Sequence, residues 1–89
     1  METAEISNRI KEIIANVSGL KQERIGDQDS LRDDLNLDSL SLLEIGVDVD
    51  YAFQLNLPDD NYKQVATLPQ MVELVRARLE ELAGVPVTQ

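Results

Sequence analysis

The chain contains no cysteine, no histidine and no tryptophan. Without cysteine there is no disulfide framework, no thiolate zinc site and no sulfur nucleophile. Without histidine, the commonest general base and the commonest transition-metal ligand are missing together. The aromatic residues are Tyr51, Phe53 and Tyr62 alone, so a core must be filled by Leu, Ile and Val. Basic residues are also scarce, 8 against 17 acidic ones, for a formal charge of −9 over 89 residues. That charge disfavours nucleic acid and anionic lipid and favours basic protein surfaces. No run approaches the roughly eighteen apolar residues of a membrane span. Met1-Glu2-Thr3-Ala4-Glu5 lacks the basic start and apolar stretch of a signal peptide, so a cytoplasmic location is expected.

What is present is helical periodicity. The length suits one domain over residues 1–89 with one modest core. Ile6, Ile10, Ile13, Ile14 and Val17 recur at helical spacing and predict a helix over about 3–17, opened by Glu2 or Thr3 and closed by Ser18-Gly19. Leu20 to Asp38 is a long connection, for which Ile25, Leu31, Leu35 and Leu37 are the expected anchors, with Ser30 capping a single turn. A second helix is expected from about Ser39 to Gln54, and a short one from about 59 to 64 after Pro58, capped by Asp59. Thr67 caps the last helix, about 68–82, with Pro69 in its first turn. Leu68, Met71, Val72, Val75, Leu79 and Leu82 form its core stripe, and Gly84 and Pro86 end it. No strand is credible, so the expected class is all-α.

The second helix is unusual. At about 3.6 residues per turn, Leu42, Ile45, Val49, Ala52 and Phe53 share one side, the expected core face. Leu40, Leu43, Val47 and Tyr51 form a second apolar stripe, flanked by Glu44, Asp48 and Asp50. A helix apolar on two faces is buried all round, spans a membrane or meets a partner, and the carboxylates rule out the span. Gly46 inside this helix costs about 0.5–1 kcal/mol relative to alanine. It implies either close packing or room for a guest.

Asp38-Ser39 at the start of this helix reads first as a cap. A catalytic serine needs a base and an oxyanion hole. Here there is no histidine, no Gly-x-Ser-x-Gly turn and no Ser-x-x-Lys pattern around Ser39. Asp34-Leu35-Asn36-Leu37-Asp38 begins like a calcium loop, but Ser39 replaces its glycine and Ile45 its closing glutamate. Neither an enzyme nor a calcium site follows, and no metal ligand set is expected. A cap alone, however, leaves the apolar stripe beside it unexplained.

Leu35-x-x-Asp38-Ser39-Leu40, followed by Leu43-Glu44, resembles the acyl carrier proteins of fatty acid and polyketide synthesis. The likeness extends through Ile25 to Leu35, through Phe53-x-Leu55-x-Leu57-Pro58-Asp59, and through Thr67-Leu68 with the helix after it. The resemblance implies a four-helix bundle whose Ser39 is esterified with 4′-phosphopantetheine, from coenzyme A, by a separate phosphopantetheinyl transferase. It implies a carrier that does no bond chemistry itself. Asp38, Leu40, Leu43, Glu44, Val47, Asp48 and Asp50 become the face for the transferase, ketosynthases, acyltransferases and other acyl-processing enzymes with basic surfaces. Leu42, Ile45, Gly46, Val49, Phe53 and Leu68 become the candidate acyl pocket. A monomer is expected, because the apolar stripe is short and rimmed by carboxylates.

The chain departs from the family pattern at Ser41 (usually acidic), Ala66 (commonly a hydroxyl residue), Gly46 (usually bulky) and Val49 (usually leucine). These departures point to a specialised rather than a housekeeping carrier, with Gly46 and Val49 enlarging or redirecting the pocket. A peptidyl or aminoacyl carrier and an unmodified helical adaptor remain the alternatives. The acidic charge favours acyl cargo over the first.

Overall fold

The computed structural model describes residues 2–84. Helix α1 spans Thr3–Ser18. The side chain of Glu2, the residue before it, and that of Glu5 form a reciprocal cap at its start. Ile6, Ile10 and Ile14 are fully buried along one stripe, with Ile13 nearly so. Gly19 ends the helix at φ 80°, a left-handed geometry that costs glycine little.

The connection to the second helix is folded down rather than loose. A 3₁₀ turn over Gln22–Arg24, not anticipated from the sequence, leads to buried Ile25. Ser30 opens one turn: its hydroxyl accepts from the Asp33 amide, and its carbonyl from the amides of Asp34 and Leu35. A single antiparallel bridge pairs Ser30 with Thr67. Its bonds run from the Leu31 amide to the Ala66 carbonyl and from the Leu68 amide to the Asp29 carbonyl, both 2.9 Å. The loop is thereby tied to the start of the last helix.

Helix α2 spans Ser39–Phe53, helix α3 Asp59–Lys63 and helix α4 Leu68–Leu82. Helix α1 packs on α2 and α4, and α3 packs on α2. One hydrophobic cluster joins them, with Ile45 and Val49 from α2, Leu55 from the following loop, and Leu68 and Val75 from α4 all fully buried. Truncating Ile45, Leu55 or Leu68 to alanine is the kind of change that costs about 2–5 kcal/mol. The cap of α4 is as expected: Thr67 accepts from the Gln70 amide, and the Gln70 side chain accepts from the Thr67 amide.

Two expectations need correction here. Asp59 is the first residue of α3 rather than its cap; extended Pro58 holds that position, as its fixed φ allows. Leu82 is half exposed, because the apolar stripe of α4 continues one turn beyond the packed part of the bundle. Gly84 turns left-handed at φ 79°, whereas Pro86 lies outside the described residues.

Candidate functional site

The position of Ser39 follows from the three residues before Asp38. Leu35 and Leu37 are both buried, although an extended chain would send side chains two apart to the same face only by leaving Asn36 outside. Asn36 is outside, and it adopts φ 57°, a left-handed conformation that asparagine tolerates better than most residues. The Leu37 amide donates to the Leu31 carbonyl at 3.1 Å. With the chain pinned on both sides of this turn, Asp38, Ser39 and Leu40 emerge exposed at the start of α2.

Asp38 is the cap, its carboxylate accepting from the Ser41 amide at 2.8 Å. Hydrogen bonds from the amide and then the hydroxyl of Ser41 hold its carboxyl below the ordinary value of 3.8. Ser39 is the first helical residue, and its own hydroxyl is not used in the cap. Instead Ser39 Oγ accepts from a guanidinium nitrogen of Arg32, 3.1 Å away.

Beside Ser39 lies a cleft of about 430 Å³ between α2 and α3. Leu42 and Leu43 line one side, Tyr62 and Val65 the other, with Arg32, Lys63 and Asp59 among the polar groups at its edges. Of the six residues expected to form a pocket, only Leu42 faces this space. Ile45, Val49 and Leu68 are fully buried in the core, and Phe53 packs against the core from its edge. Gly46 leaves no room for a guest: a Cβ there would lie 3.0 Å from Tyr62, whose ring fills the space. In this structure Ile45, Gly46, Val49 and Leu68 pack the core, and Leu42 alone of the six lines the cleft beside Ser39. A helical wheel identifies apolar positions, but α3 decides which of them face a cleft.

The second apolar stripe is exposed, with Leu40 at 66%, Leu43 at 42% and Val47 at 54% of full accessibility. Glu44 and Asp48 flank it in solvent. Asp50 does not belong to that rim. It is half-buried, accepting from the Tyr62 hydroxyl at 2.6 Å and the Leu57 amide at 2.9 Å. Burial, reinforced by the bond to Asp50, pushes the Tyr62 phenol far above its ordinary value. Asp50 therefore fastens α2 to α3 and to the loop between them. Sequence reasoning missed Arg32, Tyr62, Lys63 and Val65. For Tyr62 the available signal was the i, i+4, i+8 series Leu42, Gly46 and Asp50, which runs along the edge of α2 that meets α3.

An exposed serine at a helix start, adjoining an apolar cleft and an apolar stripe rimmed by acid, fits covalent attachment of an anionic group better than catalysis. Residues 8–75 match the family model described as the phosphopantetheine attachment site. The chain belongs to this family of carrier domains. It is 32% identical over 75 residues to an acyl carrier protein of Rubrobacter xylanophilus, covering 84% of this chain and 93% of that one. A similar stretch is 33% identical to part of the non-reducing polyketide synthase dbaI of Emericella nidulans, of which it spans 3%. In fold it is similar to the acyl carrier protein of Enterococcus faecalis, with a TM-score of 0.69 at 24% identity, covering 88% of this chain and 99% of that one. The family is that of the acyl carrier proteins, carriers rather than enzymes, with 4′-phosphopantetheine as the prosthetic group. Among the described residues no helix is long and apolar enough to cross a membrane, and no cluster of acidic side chains is arranged to hold a metal.

Proposed function

We propose that Ser39 is the attachment point, and that this carrier serves a specialised acyl pathway of the polyketide or fatty acid type. The observation that carries the assignment is the exposed Ser39 hydroxyl, left out of the cap that Asp38 makes and adjoining an apolar cleft. In the transferase reaction, Ser39 Oγ forms a bond to the phosphorus of coenzyme A that bears the pantetheine. The bond from that phosphorus to the bridging oxygen breaks, adenosine 3′,5′-bisphosphate leaves, and the serine proton passes to a base of the transferase. When attached, the group supplies a terminal thiol that holds acyl cargo as thioesters.

The chain's own residues do the rest. Leu42, Leu43, Tyr62 and Val65 offer apolar shelter next to Ser39. Leu40, Leu43 and Val47 offer shallow anchors to the transferase and then to ketosynthases and acyltransferases. Glu44 and Asp48 steer the basic surfaces of those partners. The polyketide synthase relative and the departures at Ser41, Gly46 and Ala66 support a specialised role over a housekeeping one. The net charge of −9 and the similarity to an acyl carrier support acyl over peptidyl cargo.

Intact mass after exposure to coenzyme A and a phosphopantetheinyl transferase tests the assignment. Wild type gains the mass of one arm and Ser39→Ala gains none. No gain with several transferases would favour an unmodified adaptor that works through α2 alone.

A further inference from the structure

We infer that Arg32 holds the phosphodiester of the attached arm at the mouth of the α2–α3 cleft; this rests on the reading that Ser39 carries the arm. The first observation is the aim of the guanidinium. Asp33, Asp34 and Asp38 are its neighbours in sequence, yet among the described residues Arg32 forms no ion pair and instead donates to Ser39 Oγ at 3.1 Å. The ion pairs of the described residues engage Arg9, Lys11, Lys63, Arg76 and Arg78. In a chain with 17 acidic and 8 basic residues, an arginine that donates to a hydroxyl rather than to a carboxylate keeps its charge free for a direct anionic partner.

The second observation is Asp38. Its carboxylate already takes the Ser41 amide, and its lowered pKa keeps it ionised beside the attachment point. A phosphodiester on Ser39 therefore arrives next to a fixed negative charge, at a helix start whose amides are partly engaged. The compensating cation is Arg32. A neutral hydroxyl is a poor partner for a guanidinium, whereas two phosphate oxygens match its planar fork and carry charge.

The third observation is how firmly Arg32 is mounted. Leu31 and Leu35 are buried on either side of it, the Leu31 amide is bonded to Ala66, and the Asp33 amide to Ser30 Oγ. Its backbone is ordered before any group is attached, so only side-chain freedom is lost on clamping. Arg32 and Ser39 line the same cleft, with Lys63 also on it. An anion held at Arg32 thus lies at the entrance to the apolar space rather than out in solvent.

The test compares wild type with Arg32→Gln and Arg32→Lys, each converted by the transferase and checked by intact mass. The phosphorus NMR signal of the phosphodiester is read at low salt and at about 0.5 M salt, where exposed ion pairs are screened. The holo-minus-apo difference in thermal midpoint is read alongside. Expected are a phosphorus signal in wild type distinct from that in Arg32→Gln, a collapse of the difference at high salt, and a larger holo-minus-apo gain in wild type. Arg32→Lys should fall between them, since a point charge replaces the fork. Superimposable phosphorus signals and equal holo-minus-apo differences, on fully modified proteins, would overturn the clamp while leaving the carrier reading intact. Failure of all three proteins to gain the arm's mass would overturn both.

Discussion

Gly46 of α2 and Tyr62 of α3 pack so closely that a Cβ on position 46 would fall 3.0 Å from both Cβ and Cγ of the tyrosine. Tyr62 is held at both ends, by its place in α3 and by the 2.6 Å bond from its hydroxyl to Asp50. Helix propensity alone would make Gly46→Ala stabilising by about 0.5–1 kcal/mol. Forcing a methyl against a pinned ring costs about 1–3 kcal/mol. The expected result in urea unfolding is a net loss of about 1 kcal/mol, with Gly46→Val losing more. In a Tyr62→Ala background the same Gly46→Ala change should become stabilising. One sign in both backgrounds would mean that the contact does not decide the glycine.

Asp50 carries the other half of that joint. Asp50→Ala leaves the Leu57 amide and the Tyr62 hydroxyl, both partly buried, without their acceptor. Such a loss costs about 1–3 kcal/mol. Asp48→Ala, on the exposed rim, should stay within about 0.5 kcal/mol of wild type. Equal effects of the two substitutions on the urea midpoint would refute the structural role given to Asp50.

Asp38 makes the stability of α2 depend on pH. Its carboxyl is held below 3.8 by the amide and hydroxyl of Ser41, so the ionised form is favoured in the folded state. The stabilisation is fully present above the unfolded value and is lost as pH falls through the lower folded value. Asp38→Asn keeps an oxygen for the Ser41 amide and removes only the charge. The advantage of wild type over Asp38→Asn should therefore shrink as urea unfolding is repeated from about pH 6 down to about pH 2. A constant difference across that window would show that the charge contributes nothing.

The exposed stripe should matter to partners and not to folding. Leu40→Ala and Val47→Ala are expected to lower kcat/KM for the transferase by about fivefold or more, the effect of losing roughly 1 kcal/mol at an interface anchor. Their thermal midpoints should match wild type, since both side chains are largely in water. Glu44→Gln and Asp48→Asn should reduce the salt dependence of the same reaction. Unchanged kinetics in all four variants would leave the stripe without the role proposed for it.

Much of this architecture is legible in the sequence because its determinants are local. The Ile6, Ile10, Ile13 and Ile14 stripe, the Gly19 stop and the Thr67–Gln70 cap each depend on residues within a few positions of one another. So does the exposure of Ser39, which follows from Leu35 and Leu37 going inward. What escaped depends on neighbours distant in the chain. Asp50 falls beside Leu43 and Val47 on a helical wheel and reads as surface acid, until Tyr62, twelve residues away, supplies its partner. The cleft is set by α3, a helix of five residues, too short for periodicity to show which face it buries. Arg32 belongs to a turn with no period at all, so its reach to Ser39 had no sequence signal.

The most direct measurement is the position of the arm on the chain. Ser41 carries the nearest other hydroxyl, two residues further on, but it is half-buried and already engaged with Asp38. Tandem mass spectrometry of the peptide containing both serines, after transferase treatment, distinguishes them. The account predicts fragments that carry the added mass on Ser39 alone; mass on Ser41, or on no serine of this peptide, would contradict it.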